Sequence, residues 1–361
     1  TDVAASLREV EYDRAKAKAS PDQRKYQGLV INAPLVPSEA FLDPESSFFP
    51  AMLLKEHDGN MRANPEKYQM ANYTGTLLYD DGILTWETDL SLTPIRNYPL
   101  EKGAPKEGCI ELFVKPQAGP HGIPEGGRYI MGCDTVDKAV STTDSLYCVL
   151  VFDRWTGRIV AEFTGRREDP NEHYEITRRL ALFYNASVMY EQALTGLYTY
   201  LDNRRQTHIL ADTPVQLRNT NTFRPGTNTS KGIPPSNRVN TTARDFIKSW
   251  LLQSANKEKE DYHCNVYELK SLGIVQELLK WHKDGNFDRV SALGMLMWYD
   301  NTLYKETQDI HHKKELDLSQ HEYWRKMGLM EAGSEGTQAL QNELTIKFGE
   351  MEALLRVNKN S

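Results

Sequence analysis

The chain has 361 residues, 39% of them hydrophobic and 26% charged, and a net charge of −7 at pH 7. That length allows one dominant core with a smaller companion or long extensions. No run of about 20 apolar residues exists to cross a bilayer as a helix, which excludes a membrane protein of that kind, and the acidic balance argues against coating nucleic acid by bulk electrostatics.

The opening segment TDVAASLREVEYDRAKAKAS starts on Thr1 and lacks the basic-then-apolar layout of a secretory signal. It reads as a polar helix or lead-in of something longer. The four cysteines, Cys109, Cys133, Cys148 and Cys264, form no CxxC pair, and Cys133 and Cys148 fall in apolar strand-like runs. Buried free thiols, a reducing cytoplasm and no structural zinc are expected. In that compartment the Asn-x-Ser/Thr triplets carry no weight for glycosylation.

From residue 29 to about 67 prolines punctuate an irregular apolar run, VINAPLVPSEAFLDPESSFFP, which predicts an ordered connector with short helical pieces. Residues 73–115 hold three short runs, GTLLYD, GILTWET and CIELFVK, separated by turn residues, and predict a small antiparallel element. RYIMGCD, SLYCVLVFD and RIVAEFTG then read as three buried strands, the last two joined by a WTG turn, in an antiparallel meander.

Asp169, Pro170 and Glu172 supply a cap, a first-turn proline and an acid three residues after the cap. A helix is expected next, with Ile176, Leu180 and Phe183 inward. The expected order continues with a strand ASVMYE ending on Glu191, a helix around 195–203, a strand THILA, a cationic loop and a helix from about Thr242. FDRVSALGMLMWYD places Phe287, Val290, Leu293 and Met297 at helical spacing, an amphipathic helix packed on the sheet. The spans anticipated are a lead-in and linker over 1–72, a β-rich element over 73–125, a main α/β domain over 126–305 and a charged helical tail over 306–361. Three strands, helix, strand, helix, strand, helix is the order of the ribonuclease H-like fold, a mixed β-sheet flanked by α-helices.

In that topology Asp134 ends the first strand and Glu191 the fourth, side by side at the middle of the sheet, and Asp288 opens the last helix. Ser291 and Ala292, one turn on, are small enough to let that helix lie close. Three converging carboxylates repel, and such a cluster is tolerable when divalent cations neutralise it. All-oxygen ligation suits Mg²⁺ or Mn²⁺, and two such ions about 4 Å apart support in-line phosphodiester hydrolysis. Taken singly, each acid is more often a turn or cap residue, and the argument comes from all three at the correct topological points.

The stretch from Tyr129 to Glu191 resembles the nuclease domain of tailed-phage terminase large subunits, the enzymes of viral DNA packaging. It has Gly-x-Asp on a strand, a following Asp, a Thr-Gly turn, Gly-Arg, a helix and a Tyr-Asn-Ala strand ending on Glu. FDRVSALGMLM is similar to the family's closing motif, and SEAFLDPESSFFP resembles its segment linking ATPase to nuclease. The resemblance implies that Asp134, Glu191 and Asp288 bind the catalytic metals, two Mg²⁺ or Mn²⁺ ions, with Asp144 as a secondary ligand or strand cap. The family often has two adjacent acids in its last motif. Here Asn286 and Phe287 precede Asp288, and Asp284 lies four residues earlier.

The same resemblance implies a metal-dependent endonuclease that cuts concatemeric viral double-stranded DNA. Its implied partners are a portal or procapsid, a small terminase subunit and a packaging ATPase, in the host cytoplasm. The ATPase's GxxxxGK[ST] loop is absent from this chain. Arg218, Arg224, Lys231, Arg238 and Arg244 fall in a stretch from Thr213 to Arg244 free of Asp and Glu, and form a candidate DNA-backbone grip. Arg166 and Arg167 are weaker candidates, and His311 and His312 read as exposed tail residues. Two alternatives stay open: another ribonuclease H-like endonuclease of resolvase or transposase type, and a non-catalytic DNA-clamping or portal-docking module.

Overall fold

The computed structural model describes residues 3–19, 23–35, 48–68, 74–101, 103–119, 122–136, 145–218, 230–254 and 263–320. Contacts divide the chain into a unit Thr1–Asn301 and a second unit Thr302–Ser361. Four helices come first, α1 (Val3–Lys18), α2 (Gln23–Asn32), α3 (Ala51–Ala63) and α4 (Pro65–Tyr68). They match the lead-in helix and the broken helical connector expected from the proline spacing.

Seven strands come next: β1 (Thr74–Asp80), β2 (Ile83–Thr88), β3 (Ile110–Leu112), β4 (Tyr129–Asp134), β5 (Tyr147–Asp153), β6 (Arg158–Gly165) and β7 (Ser187–Tyr190). They form one sheet in the order β2-β1-β3-β6-β5-β4-β7. The β1–β2 hairpin turns on Asp81 and Gly82, both at positive φ (43° and 85°), a two-residue Asp-Gly turn whose twist suits the strand pair. The small antiparallel element therefore extends the main sheet through β3–β6 pairing.

β4, β5 and β6 form the expected antiparallel meander. β7 returns parallel to β4, pairing Ile130 with Ser187 through Cys133 with Tyr190. Such a parallel return needs a crossover, and α5 (Pro170–Tyr184) provides it. Asp169 caps α5 by accepting from Asn171 N, and Asn185 ends it in the left-handed conformation. This arrangement of strands and crossover is that of the ribonuclease H-like fold.

Alternation along the strands sorts side chains to two faces. Tyr129, Met131 and Cys133 of β4 and Val188 and Tyr190 of β7 pack with Leu180, Ala181 and Tyr184 of α5, and with Leu197 and Leu201 of α6 (Gly196–Asn203). The buried side of α5 is centred on Tyr174, Thr177 and Ala181, with Ile176 and Phe183 at its margin. The expected inward stripe is therefore rotated, because Tyr174 and Tyr184 supply the bulk that fills this layer.

The other face carries α8 (Asn237–Leu252) and α10 (Asp288–Gln320), with Met189, Ala243, Met295 and Trp298 in one cluster. Phe287, Val290, Leu293 and Met297 are all buried, as their spacing predicts. Two short helices complete the set, α7 (Val215–Arg218) and α9 (Leu272–Lys280).

Two sequence expectations fail here. THILA is a 3-10 turn over Thr207–Ile209, and only a bridge from Leu210 to Val188 touches β7. Its backbone bonds close locally, Leu210 N donating to Thr207 O, so five alternating residues do not add a strand. In consequence β7 is the last strand of the sheet, and Asp134 and Glu191 lie toward its end and not at its middle. α8 also begins at Asn237, because the Ser236 side chain caps it by accepting from Val239 N. Arg238 and Arg244 therefore belong to a helix and not to the expected loop.

Cys109, Cys133, Cys148 and Cys264 are buried free thiols. Among the described residues no helix is long and apolar enough to cross a membrane. The side chains of His311 and His312 lie outside the described residues.

Candidate metal centre

Register places the first two acids. Cys133 and Tyr190 are the last residues paired between β4 and β7; Asp134 and Glu191 each stand one step further along parallel neighbours, which run about 4.8 Å apart. Both alternate onto the face that carries α8 and α10. Glu191 is tied down by its bridge to Ile233, with Ile233 N donating to Tyr190 O and Gln192 N to Ile233 O.

The third acid comes from packing. Gly132 lies directly against α10: a Cβ placed on it would collide with the Ala292 carbonyl and stand 2.6 Å from Leu296 Cβ. The absence of a side chain lets α10 approach the sheet, as the small residues Ser291 and Ala292 led us to expect. Asp288, one turn before Ala292, is delivered to the end of β4 where Asp134 sits. It is 6% exposed, and its Oδ2 accepts from Leu146 N at 2.9 Å and from Asn286 Nδ2 at 3.3 Å.

The electrostatics register this convergence. Burial, then the charges of Asp288 and Glu191, raise the Asp134 carboxyl well above the usual range. Burial raises Glu191 and lifts Asp288 to about 6, against the opposing bonds from Leu146 and Asn286. Like charges held near Asp134 thus add to the effect of its burial, and an all-oxygen donor set of this kind suits a hard divalent cation.

Asp134 and Glu191 line a cavity of about 210 Å³ together with residues of α8 and α10, and Asp288 is not part of its lining. Among the described residues no group of three His, Cys, Asp or Glu side chains is arranged to hold an ion. The donors therefore fit divalent cations in kind, with Asp288 engaged elsewhere. Asp284, the alternative third acid, is exposed. Asp144 lies outside the described residues.

The cationic candidates separate. Arg244 lines the carboxylate cavity. Lys231 is paired with Asp212 at 2.7 Å, Arg218 donates to Thr213 O at 2.8 Å, and Arg238 is exposed on α8. Arg224 lies outside the described residues. Arg166 and Arg167 donate to the carbonyls of Ser145 and Gly108.

A buried ion network escaped the sequence reading. Arg289, beside Asp288 and 1% exposed, donates to Glu162 at 2.6 Å and to Glu277 at 2.9 Å. Glu277 also accepts from the backbone of Arg289 and Val290 at 2.9 and 3.2 Å, and so caps the helix that carries Asp288. The only sequence signal was an arginine inside an apolar helical face.

No protein-family model matches the chain, and no curated protein does. Solved structures do. The large terminase nuclease of the thermophilic phage G20c with bound zinc is 14% identical over 53% of this chain and 89% of that one, with a TM-score of 0.34. The same nuclease with bound magnesium is 14% identical over 54% and 89%, again at 0.34, and a further structure of it gives 14%, 53% and 89% at 0.30.

Proposed function

We propose that the protein is a divalent-metal-dependent endodeoxyribonuclease that cuts double-stranded DNA during viral genome packaging. The observation that carries the reading is that Asp134 and Glu191 line one cavity beside the start of α10, where burial raises their carboxyls and that of Asp288, and the charges of Asp288 and Glu191 add to the rise at Asp134.

Two Mg²⁺ or Mn²⁺ ions bound there supply the positive charge that activates water and stabilises the leaving oxygen. Asp134 and Glu191 present oxygens into the cavity as ligands, and Asp288 joins them or orients their partners from the N-terminus of α10. In hydrolysis the water oxygen bonds to phosphorus while the bond from phosphorus to the 3′ oxygen breaks, and that oxygen leaves with a proton as a 3′ hydroxyl. No protein nucleophile takes part. Asp144 stands as an additional ligand in this reading, and Arg218, Arg224, Lys231 and Arg238 as contacts to the DNA backbone. Portal or procapsid, a small subunit and an ATPase are the partners, in the host cytoplasm.

The second reading is a DNA-clamping module without catalysis, favoured by the Asp288 carboxylate being held on Leu146 N. Supercoiled plasmid separates the two. With Mn²⁺ or Mg²⁺ the protein is expected to nick and linearise it, with EDTA it is not, and Asp134→Asn and Glu191→Gln are both expected to be inactive. Binding without cleavage under every condition would leave the clamp.

A further inference from the structure

Helix α8 turns one face toward the carboxylates. Asn240, Ala243, Arg244 and Ile247, spaced three and four apart, line the same cavity as Asp134 and Glu191. Of these only Arg244 carries charge. Its guanidinium lies 5.0 Å from the centre of the Trp281 ring and 5.9 Å from that of Phe48, and Nη2 donates to Thr241 Oγ1 at 3.0 Å. Trp281 packs edge-on against Phe48 and Phe49, at 5.6 and 5.7 Å. The arginine is thus backed by a fixed aromatic wall, where cation–π attraction restrains it without neutralising it.

Two further facts bear on Arg244. Among the described residues it forms no ion pair with Asp134, Glu191 or any other acid, and its Nε is buried without a hydrogen-bond partner. A buried N–H with no partner is costly, and it is tolerable where a ligand completes it. Arg244 and the two carboxylates line one cavity, which Lys283 also lines, without pairing with each other, so that a group bound in the cavity can meet both.

We infer that Arg244 is a catalytic residue that binds a non-bridging oxygen of the scissile phosphodiester, opposite the metal-ligating carboxylates. The inference rests on the nuclease reading above and assigns the protein's own contact to the reacting phosphate. Arginine suits the task because its planar fork offers two parallel donors to a phosphate and stays charged at every working pH. Its contact strengthens as negative charge spreads over the phosphate oxygens during attack, so it belongs to the transition state more than to ground-state binding. Arg218, Arg238 and Lys231 stand outside this cavity, and their loss acts on affinity alone.

Steady-state cleavage of a short duplex in Mn²⁺ tests this, with thermal melting as a control on folding. Arg244→Ala is expected to lower kcat by about 100-fold or more and to change KM by less than about threefold. Arg244→Lys is expected to recover only part of the rate, because a single ammonium lacks the fork. Trp281→Leu, which leaves the charge but removes its support, is expected to show a smaller loss in kcat. A defect confined to KM would make Arg244 one more backbone grip and overturn the assignment, as would an unchanged rate. If Arg244→Ala cuts normally while Asp134→Asn does not, the nuclease stands and this inference falls. If the wild type binds the duplex but never cuts it, both fall.

Discussion

Gly132 on β4 lies under the carbonyl of Ala292 on α10, so that one hydrogen atom separates strand from helix where any other residue would place a carbon. The contact sets the height of α10 above the sheet, and with it the position of Asp288. Gly132→Ala is expected to cost about 1–3 kcal/mol by overpacking, read as a lower urea midpoint. Activity is expected to fall further than the lost stability accounts for, because the helix start moves with the helix.

Burying Asp288 beside Asp134 costs stability. Burial lifts Asp288 to about 6, above the value of about 3.9 in an unfolded chain. The folded state therefore keeps the proton longer. Stability tied to this group is complete below about pH 4 and is lost as the pH rises through 6. In EDTA, Asp288→Asn is expected to be more stable than the wild type above pH 6, by roughly 1–3 kcal/mol, and no more stable at pH 4. Chemical denaturation across that range checks the sign.

Arg289 is the reverse case, since removing it exposes charges that it holds. With Glu162 and Glu277 both about 2% exposed, Arg289→Met leaves two carboxylates without their cation, at a cost of about 3–5 kcal/mol. Replacing Glu162 and Glu277 by apolar residues in the same chain is expected to restore most of the loss. Recovery in the triple variant, measured by denaturant titration, distinguishes charge burial from lost packing.

Far from the site, Glu175 on α5 accepts from Arg178 at 2.7 and 2.8 Å, Arg179 at 2.8 Å and Tyr200 at 2.7 Å. Burial pushes its carboxyl up, but these donors together outweigh burial and bring it to about 2. The stability it confers is present above the unfolded value near 4.3 and disappears as the pH falls toward 2. Glu175→Gln is expected to lower stability at pH 7 by about 1–3 kcal/mol, with the two proteins converging between pH 4.5 and 2.

Sequence alone located the elements whose signals are local. The meander β4–β5–β6 announced itself by apolar runs between turn residues, α5 by Asp169 and Pro170, and α10 by the spacing of Phe287, Val290, Leu293 and Met297. From these, Asp134, Glu191 and Asp288 were picked out as residues that one topology brings together. The failures lie where distant partners decide. THILA alternates like a strand, but Thr207–Ile209 turn locally and only a bridge at Leu210 reaches β7. Ser236 was a readable helix cap that went unused. Arg289 meets Glu162 from 127 residues away, a pairing no local pattern encodes, and the role of Arg244 depends on Trp281, Phe48 and the cavity wall, which only folding assembles.

The pairing of β4 with β7 has a consequence for how such a centre can change. Strand register moves only in whole residues, and a slip of one turns every side chain to the opposite face. A slip of either strand carries its own acid to the α5 side, so Asp134 and Glu191 are each either on the α10 side or lost from it, with no intermediate setting. Asp288 rides on a helix whose seat is a glycine contact, and a helix can slide or tilt by fractions of an ångström. Two acids of this centre are digital and the third is analogue, so any fine adjustment of its geometry has to come through α10.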